Sequence, residues 1–197
     1  MSPLATGRPG RPAASTREAA LELATKRFLA GERVDVQAIA RELGLARATM
    51  HRWFQTRDLL LAELLAALAE RRLSAIRLDV GGGGPRALLE TLDRFNREIA
   101  ENRGMRALLG QEPERALRIL TSGAGIVQPR VVAAMQRMIE AEVRDGSFVP
   151  PVLSDVLAYA TVRLGEAFIY NDALTGIRGD TERLRQVEAA LFGVPAG

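Results

Sequence analysis

The stretch Val36–Phe54, VQAIARELGLARATMHRWF, decides how this chain reads. Asp35 precedes it, and its short carboxylate suits the cap of a helix carrying Ile39, Ala40 and Leu43 at helical spacing. Gly44 ends that helix, because glycine accepts the left-handed turn that closes helices. A second short helix runs from about Ala46 to Phe54. Two short helices about a tight glycine turn make a helix-turn-helix. Met50 and Phe54 stand four apart and share a face, where they close a small core with Ile39, Ala40, Leu43 and Leu45. Arg47, Ala48, His51 and Arg52 fall on or beside the opposite face. There, a helix in a major groove meets base edges: arginine matches guanine O6 and N7, and histidine donates or accepts.

Upstream, Ser15-x-x-Glu18 reads as a capping box opening a helix with Ala20, Leu21, Ala24 and Phe28, closed at Gly31. Residues 1–14 have the composition of a flexible basic arm. Its Arg8 and Arg11, in two Gly-Arg-Pro units, fit either an arm entering a narrow minor groove or a tail with incidental arginines. Downstream, Thr56 is the expected cap of a long helix reaching about Leu78, with Arg57 just inside it placed for a phosphate. The division expected is an arm over 1–14, a helix-turn-helix module over 15–61 and a helical domain over 62–197.

Gly81–Gly84 before Pro85 lacks the lysine and hydroxyl of a phosphate-cradling loop, and no strand precedes it, so it reads as a flexible hinge. Helical periodicity follows over Pro85–Asn102, Met105–Gln111, Pro113–Thr121, Pro129–Asp145, Pro151–Leu174 and Thr181–Phe192. No useful alternating pattern occurs. The fold class expected is all-α.

Composition narrows the chemistry. The 197 residues contain no cysteine and one histidine, which excludes disulfides, thiolate metal sites and any site needing two imidazoles. No nucleophile is arranged with His51, so no catalytic residue is expected, and no metal or cofactor is implied; Asp155, Glu166 and Asp172 lack a histidine partner. Ten bases and five acids give the first 57 residues a net charge of +5, whereas the other 140 carry −2. That localised positive end fits a polyanionic partner. No secretory signal or membrane-spanning run is legible, so a cytoplasmic protein is expected.

At these residues a resemblance enters. Val34–Leu60, VDVQAIARELGLARATMHRWFQTRDLL, resembles the TetR/AcrR-family signature, over a module of about Ser15–Leu61. The resemblance implies base-reading positions at Gln37, Arg47, Ala48, His51 and Arg52, and phosphate-holding positions at Thr49, Trp53 and Arg57. His51 replaces the usual tyrosine, Ala46 the usual hydroxyl cap, and Trp53 a common histidine. The phrases QEPERALRILTS, VQPRVVAAM and VRLGEAFIYND resemble the QsdR subgroup, which is linked to degradation of quorum-sensing lactones.

What this implies is a one-component transcriptional regulator, a repressor of operator DNA released by a small, largely apolar effector such as a lactone or acyl compound. It would act as a homodimer through its last two long helices, where Val156, Tyr159, Leu164, Leu184, Val187 and Leu191 recur at helical spacing. Phe95, Ile99, Met105, Met135, Met138 and Phe168 are candidates for an effector cavity, with Glu166, Tyr170 and Asn171 as its polar residues. For any single apolar one of them, plain core packing is the favoured reading. The alternative is a small-molecule-binding or enzymatic helical protein whose basic N-terminus is incidental.

Overall fold

The computed structural model describes residues 16–171 and 180–195, without the side chain of Asn171. The expected Ser15 cap therefore lies outside the described residues. Thr16 is seen to cap instead, its hydroxyl accepting from the Ala19 amide at 3.1 Å. Helix α1 (Arg17–Leu29) packs on α2 (Val36–Glu42) and on α4 (Arg57–Val80).

Local caps set the next boundaries where the sequence placed them. Asp35 accepts from the Gln37 and Ala38 amides at 2.7 and 3.0 Å. Gly44 adopts φ +63°, and Leu45 N–H reaches back to the Ala40 carbonyl at 2.8 Å. That bond closes α2 as a Schellman turn. Helix α3 (Arg47–Phe54) starts at Ala46 with no side-chain cap, and Thr56 caps α4 through the Leu59 amide at 3.1 Å. Buried Ile39, Met50 and Phe54 close the small core against Leu60 and Leu61.

The remaining helices are α5 (Gly84–Glu101), α6 (Arg103–Gln111), α7 (Pro113–Thr121), α8 (Val127–Arg144), α9 (Ser154–Glu166) and α10 (Thr181–Phe192). No strand occurs among the described residues, and the fold is all-α. No helix among them is long and apolar enough to cross a membrane.

Three expectations change. The glycine run is not a free hinge. Arg77 donates to the Gly81 and Gly82 carbonyls at 3.1 and 2.9 Å, and buried Glu142 accepts the Gly84 amide at 2.6 Å while pairing with Arg77. Second, α9 begins at Ser154 rather than Pro151, because Phe148–Leu153 forms no helix and leaves Val149 and Leu153 exposed. Third, the helix widens into a π-helical turn over Ala167–Asn171, in which neighbouring Ile169 and Tyr170 are both buried. Such turns interrupt α-helices mostly as single units, often at functional sites.

Candidate nucleic-acid interface and effector cavity

On α2 and α3, Gln37, Arg47, Ala48, His51 and Arg52 are exposed, while Thr49 and Trp53 are half-buried. Gln37, Arg47 and His51 border one groove of about 400 Å³. Neither Arg47 nor Arg52 has a carboxylate partner among the described residues, in contrast to Arg17 and Arg27, which pair with Glu63 and Glu42. Unpaired, exposed guanidinium groups on one short helix can bond base edges or phosphates without first breaking an ion pair. Trp53 lies edge-on to Phe54, with ring centroids 6.4 Å apart, and packs on the module core. Arg8 and Arg11 lie outside the described residues.

Arg57 is a correction. Rather than reaching outward for a phosphate, its Nε donates to the Val34 carbonyl at 2.6 Å and its Nη1 bonds Glu112 Oε2 at 2.7 Å. The guanidinium is half-buried between the module and α7.

A second candidate site lies between α1 and the helices that follow α3. A cavity of about 210 Å³ is walled by Phe28 and Leu29 of α1, Leu65 and Leu68 of α4, Phe95 and Ile99 of α5, Met105 of α6, Val131 of α8 and Tyr170. A smaller void of about 40 Å³ shares Phe95, Ile99, Val131 and Tyr170 with it and adds Met135, Gln128 and Glu166. Of the expected residues, Phe95, Ile99, Met105, Met135, Glu166 and Tyr170 are thus brought together. Met138 and Phe168 are not: both are partly buried and pack against core clusters. Asn171's side chain lies outside the described residues. Phe28, Leu29, Leu65, Leu68, Val131 and Gln128 were not legible as lining in the sequence. The adjacent apolar pair at the end of α1 was the available signal, since one helix face cannot bury both in the same core.

The polar side of the smaller void is built by α8 and α9. Gln128 Nε2 donates to both Glu166 oxygens at 2.9 and 3.0 Å, and Arg163 Nη1 donates at 2.7 Å. Burial raises the Glu166 carboxyl, while Gln128 and Arg163 pull it back towards the charged form. Burial, followed by the charge of Glu166, pushes the Tyr170 hydroxyl well up, so it stays a neutral donor. Arg72, which borders the larger cavity, is held bidentately by Glu98 at 2.9 and 2.6 Å. Each cation bordering the cavity therefore has its own carboxylate. Asn96, which lines the smaller void, donates to fully buried Glu188 at 3.2 Å, and burial pushes that carboxyl up to about 8.

Residues 83–193 match the family described as tetracyclin repressor-like, C-terminal domain. The chain belongs to the TetR family. The R. erythropolis transcriptional repressor QsdR is similar over 90% of this chain and 94% of its own, with 28% identity and a TM-score of 0.81. AlkX from Dietzia sp., a TetR-family repressor implicated in biodegradation of n-alkanes, shares the fold at 22% identity, covering 93% of this chain and all of its own, with a TM-score of 0.59. The fatty acid degradation regulator FadR from Bacillus halodurans shares it at 15% identity and a TM-score of 0.57, covering 90% of this chain and 98% of its own. No curated sequence matches the chain. TetR-family proteins are transcriptional regulators that bind DNA, not enzymes, which sets aside the enzymatic alternative.

Proposed function

We propose that this TetR-family regulator is a cytoplasmic repressor that binds operator DNA as a homodimer and is released by a small, largely apolar effector, an acyl compound or lactone. Residues 15–61 would serve as the DNA-binding module, with 1–14 as a basic arm and 62–197 as the effector and dimerisation domain. Two copies of α3 would enter successive major grooves about 34–36 Å apart. Gln37, Arg47, Ala48, His51 and Arg52 would face bases, with Thr49 and Trp53 towards phosphates.

The observation that carries this reading is the wall of the larger cavity. Phe28 and Leu29 belong to α1, which packs against α2 of the helix-turn-helix, so a molecule filling the cavity touches the DNA-binding module directly. An effector preferring one placement of α1 shifts the population towards it, and only such differential affinity can change operator binding. The apolar lining and the absence of an unpaired cation favour an uncharged head on an aliphatic chain. A lactone would place the protein in quorum-sensing signalling, as the sequence resemblance implies.

The dimer reading is supported by apolar side chains left uncovered in one protomer. Val156, Tyr159 and Val187 are 49%, 52% and 39% exposed on the last two helices. A gel-shift titration with the DNA upstream of its own gene, with and without acyl chains of graded length, tests the whole reading. A shift at low salt that the chains reverse is expected; no shift sinks it.

A further inference from the structure

His51 and Gln55 clasp each other at the end of α3. The Gln55 amide donates to the His51 carbonyl at 2.8 Å, and His51 Nδ1 lies 2.9 Å from the Gln55 carbonyl oxygen. Gln55 is the sole non-glycine residue with positive φ among the described residues, at φ +53° and ψ −55°. Its neighbour Thr56 bonds back through its amide to the Phe54 carbonyl, closing a tight three-residue turn. This strained turn aims the Gln55 carbonyl at the imidazole, and strain of that kind persists only where surrounding structure holds it.

The consequence is chemical. A carbonyl oxygen only accepts, so the ring nitrogen facing it must carry the proton. In the neutral ring the other nitrogen, Nε2, is then an acceptor, since the bond made by one nitrogen sets the tautomer of both. His51 is exposed and borders the same groove as Gln37 and Arg47. We infer that His51 is a specificity-determining residue that presents Nε2 as a fixed acceptor and selects a base edge offering an amino group, cytosine N4 or adenine N6. Guanine offers acceptors at N7 and O6 in the major groove, and thymine an acceptor and a methyl, so neither satisfies this lone pair. Arg47 and Arg52 carry only donors, so His51 supplies the complementary half of the readout on α3.

This inference rests on the proposed placement of α3 in the major groove, and the experiment separates the two. The full-length chain selects its duplex from a random library, in buffer alkaline enough to keep imidazoles neutral. Each adenine or cytosine of the selected half-site is then replaced singly by purine or 2-pyrimidinone, which lack the amino group. One replacement per half-site should weaken wild-type binding about tenfold, the size of one good base contact. The same replacement should cost His51→Ala nothing further, and Gln55→Gly, which keeps the carbonyl and relieves the strain, should retain the wild-type preference. If every amino group proves dispensable to the wild type, or if His51→Ala weakens all duplexes evenly, the acceptor role falls. Should Arg47→Ala and Arg52→Ala also leave binding unchanged, the placement of α3 falls with it.

Discussion

Arg57 and Glu112, 55 residues apart in sequence, meet at 2.7 Å and join the start of α4, beside the helix-turn-helix, to the start of α7. The same guanidinium bonds the Val34 carbonyl, while Glu112 also receives Arg115 and neighbouring Asp58 receives Arg115 and Arg118. The hydrogen bond from Arg57 chiefly, against the opposing effect of burial, brings the Glu112 carboxyl down to about 2. The unfolded chain titrates that group in the ordinary carboxylate range, so between the two values the folded state holds fewer protons. The link is therefore complete above the ordinary range and is lost as pH falls towards 2. Discounted for solvent screening, it contributes about 1–2 kcal/mol. Urea melts across this window should show wild type losing stability that Glu112→Gln lacks from the start; parallel curves would mean the pair is inert.

Because Arg57 is held inside, its removal should not act as the loss of a phosphate contact. Arg57→Ala is expected to lower the melting temperature yet leave the slope of log affinity against log salt unchanged. A true phosphate contact would reduce that slope by about one. Fluorescence anisotropy at graded salt makes the comparison.

The exposed arginines behave differently. Arg47→Ala or Arg52→Ala should cost about 1–3 kcal/mol on the selected site and relax base preference at one position per half-site, with no change in melting temperature. An even loss across all duplexes would mark either one as a backbone contact.

These contrasts show where the sequence was legible. Asp35, Gly44 and Thr56 act within three or four residues, so the helix-turn-helix could be read from local chemistry. Arg57 could not, since Glu112 is brought to it only by the packing of α7 beside α4. The same holds for the glycine run, whose composition suggests a hinge until Glu142 and Arg77 close on it. Pro151 suggests a helix start, but the chain from Phe148 to Leu153 is not helical. Nor does a 3.6-residue period reveal the π-helical turn that buries Ile169 beside Tyr170. Phe28 reads as part of the module alone, because nothing local says that a cavity opens behind it.

The contact between α1 and α6 tolerates no side chain at Gly104, since a Cβ there would collide with the Phe28 carbonyl oxygen. Backbone cannot give way as a flexible side chain does. Gly104→Ala should therefore push α6 off α1 and destabilise the protein by about 1–3 kcal/mol, although alanine is the better helix former. Gly110, on the same helix with open space around it, is the control. Gly110→Ala should be neutral or stabilising by thermal melt.

For the dimer, the two faces of α10 make opposite predictions. Leu184 is fully buried within the protomer and Val187 is 39% exposed, so the sequence stripe containing both is split between core and surface. Leu184→Arg should unfold the chain, because an unpaired charge would sit in its core. Val187→Arg or Tyr159→Arg should leave the fold intact, yield monomers by sedimentation and abolish tight operator binding. A folded Val187→Arg, Tyr159→Arg double variant that remained dimeric would move the interface elsewhere.

The cavity makes the last prediction. An apolar cavity of about 150 Å³ is enough to hold benzene, and the larger chamber here measures about 210 Å³ between Phe28, Leu65, Phe95 and Met105. An aliphatic effector should thus gain about 0.8 kcal/mol for each methylene buried, until the chamber is full and the gain stops. Where the chamber meets the smaller void Tyr170 offers a neutral hydroxyl, and no unpaired arginine borders either space to meet an anion. In calorimetric titrations an acyl amide or lactone should therefore bind more tightly than the fatty acid of equal chain length. Phe28→Ala should lengthen the series by enlarging the chamber and should weaken the release of DNA at equal occupancy, since the effector then loses its contact with α1. Tight binding of a charged aromatic compound, with no response to chain length, would mean that the chamber is not the effector site.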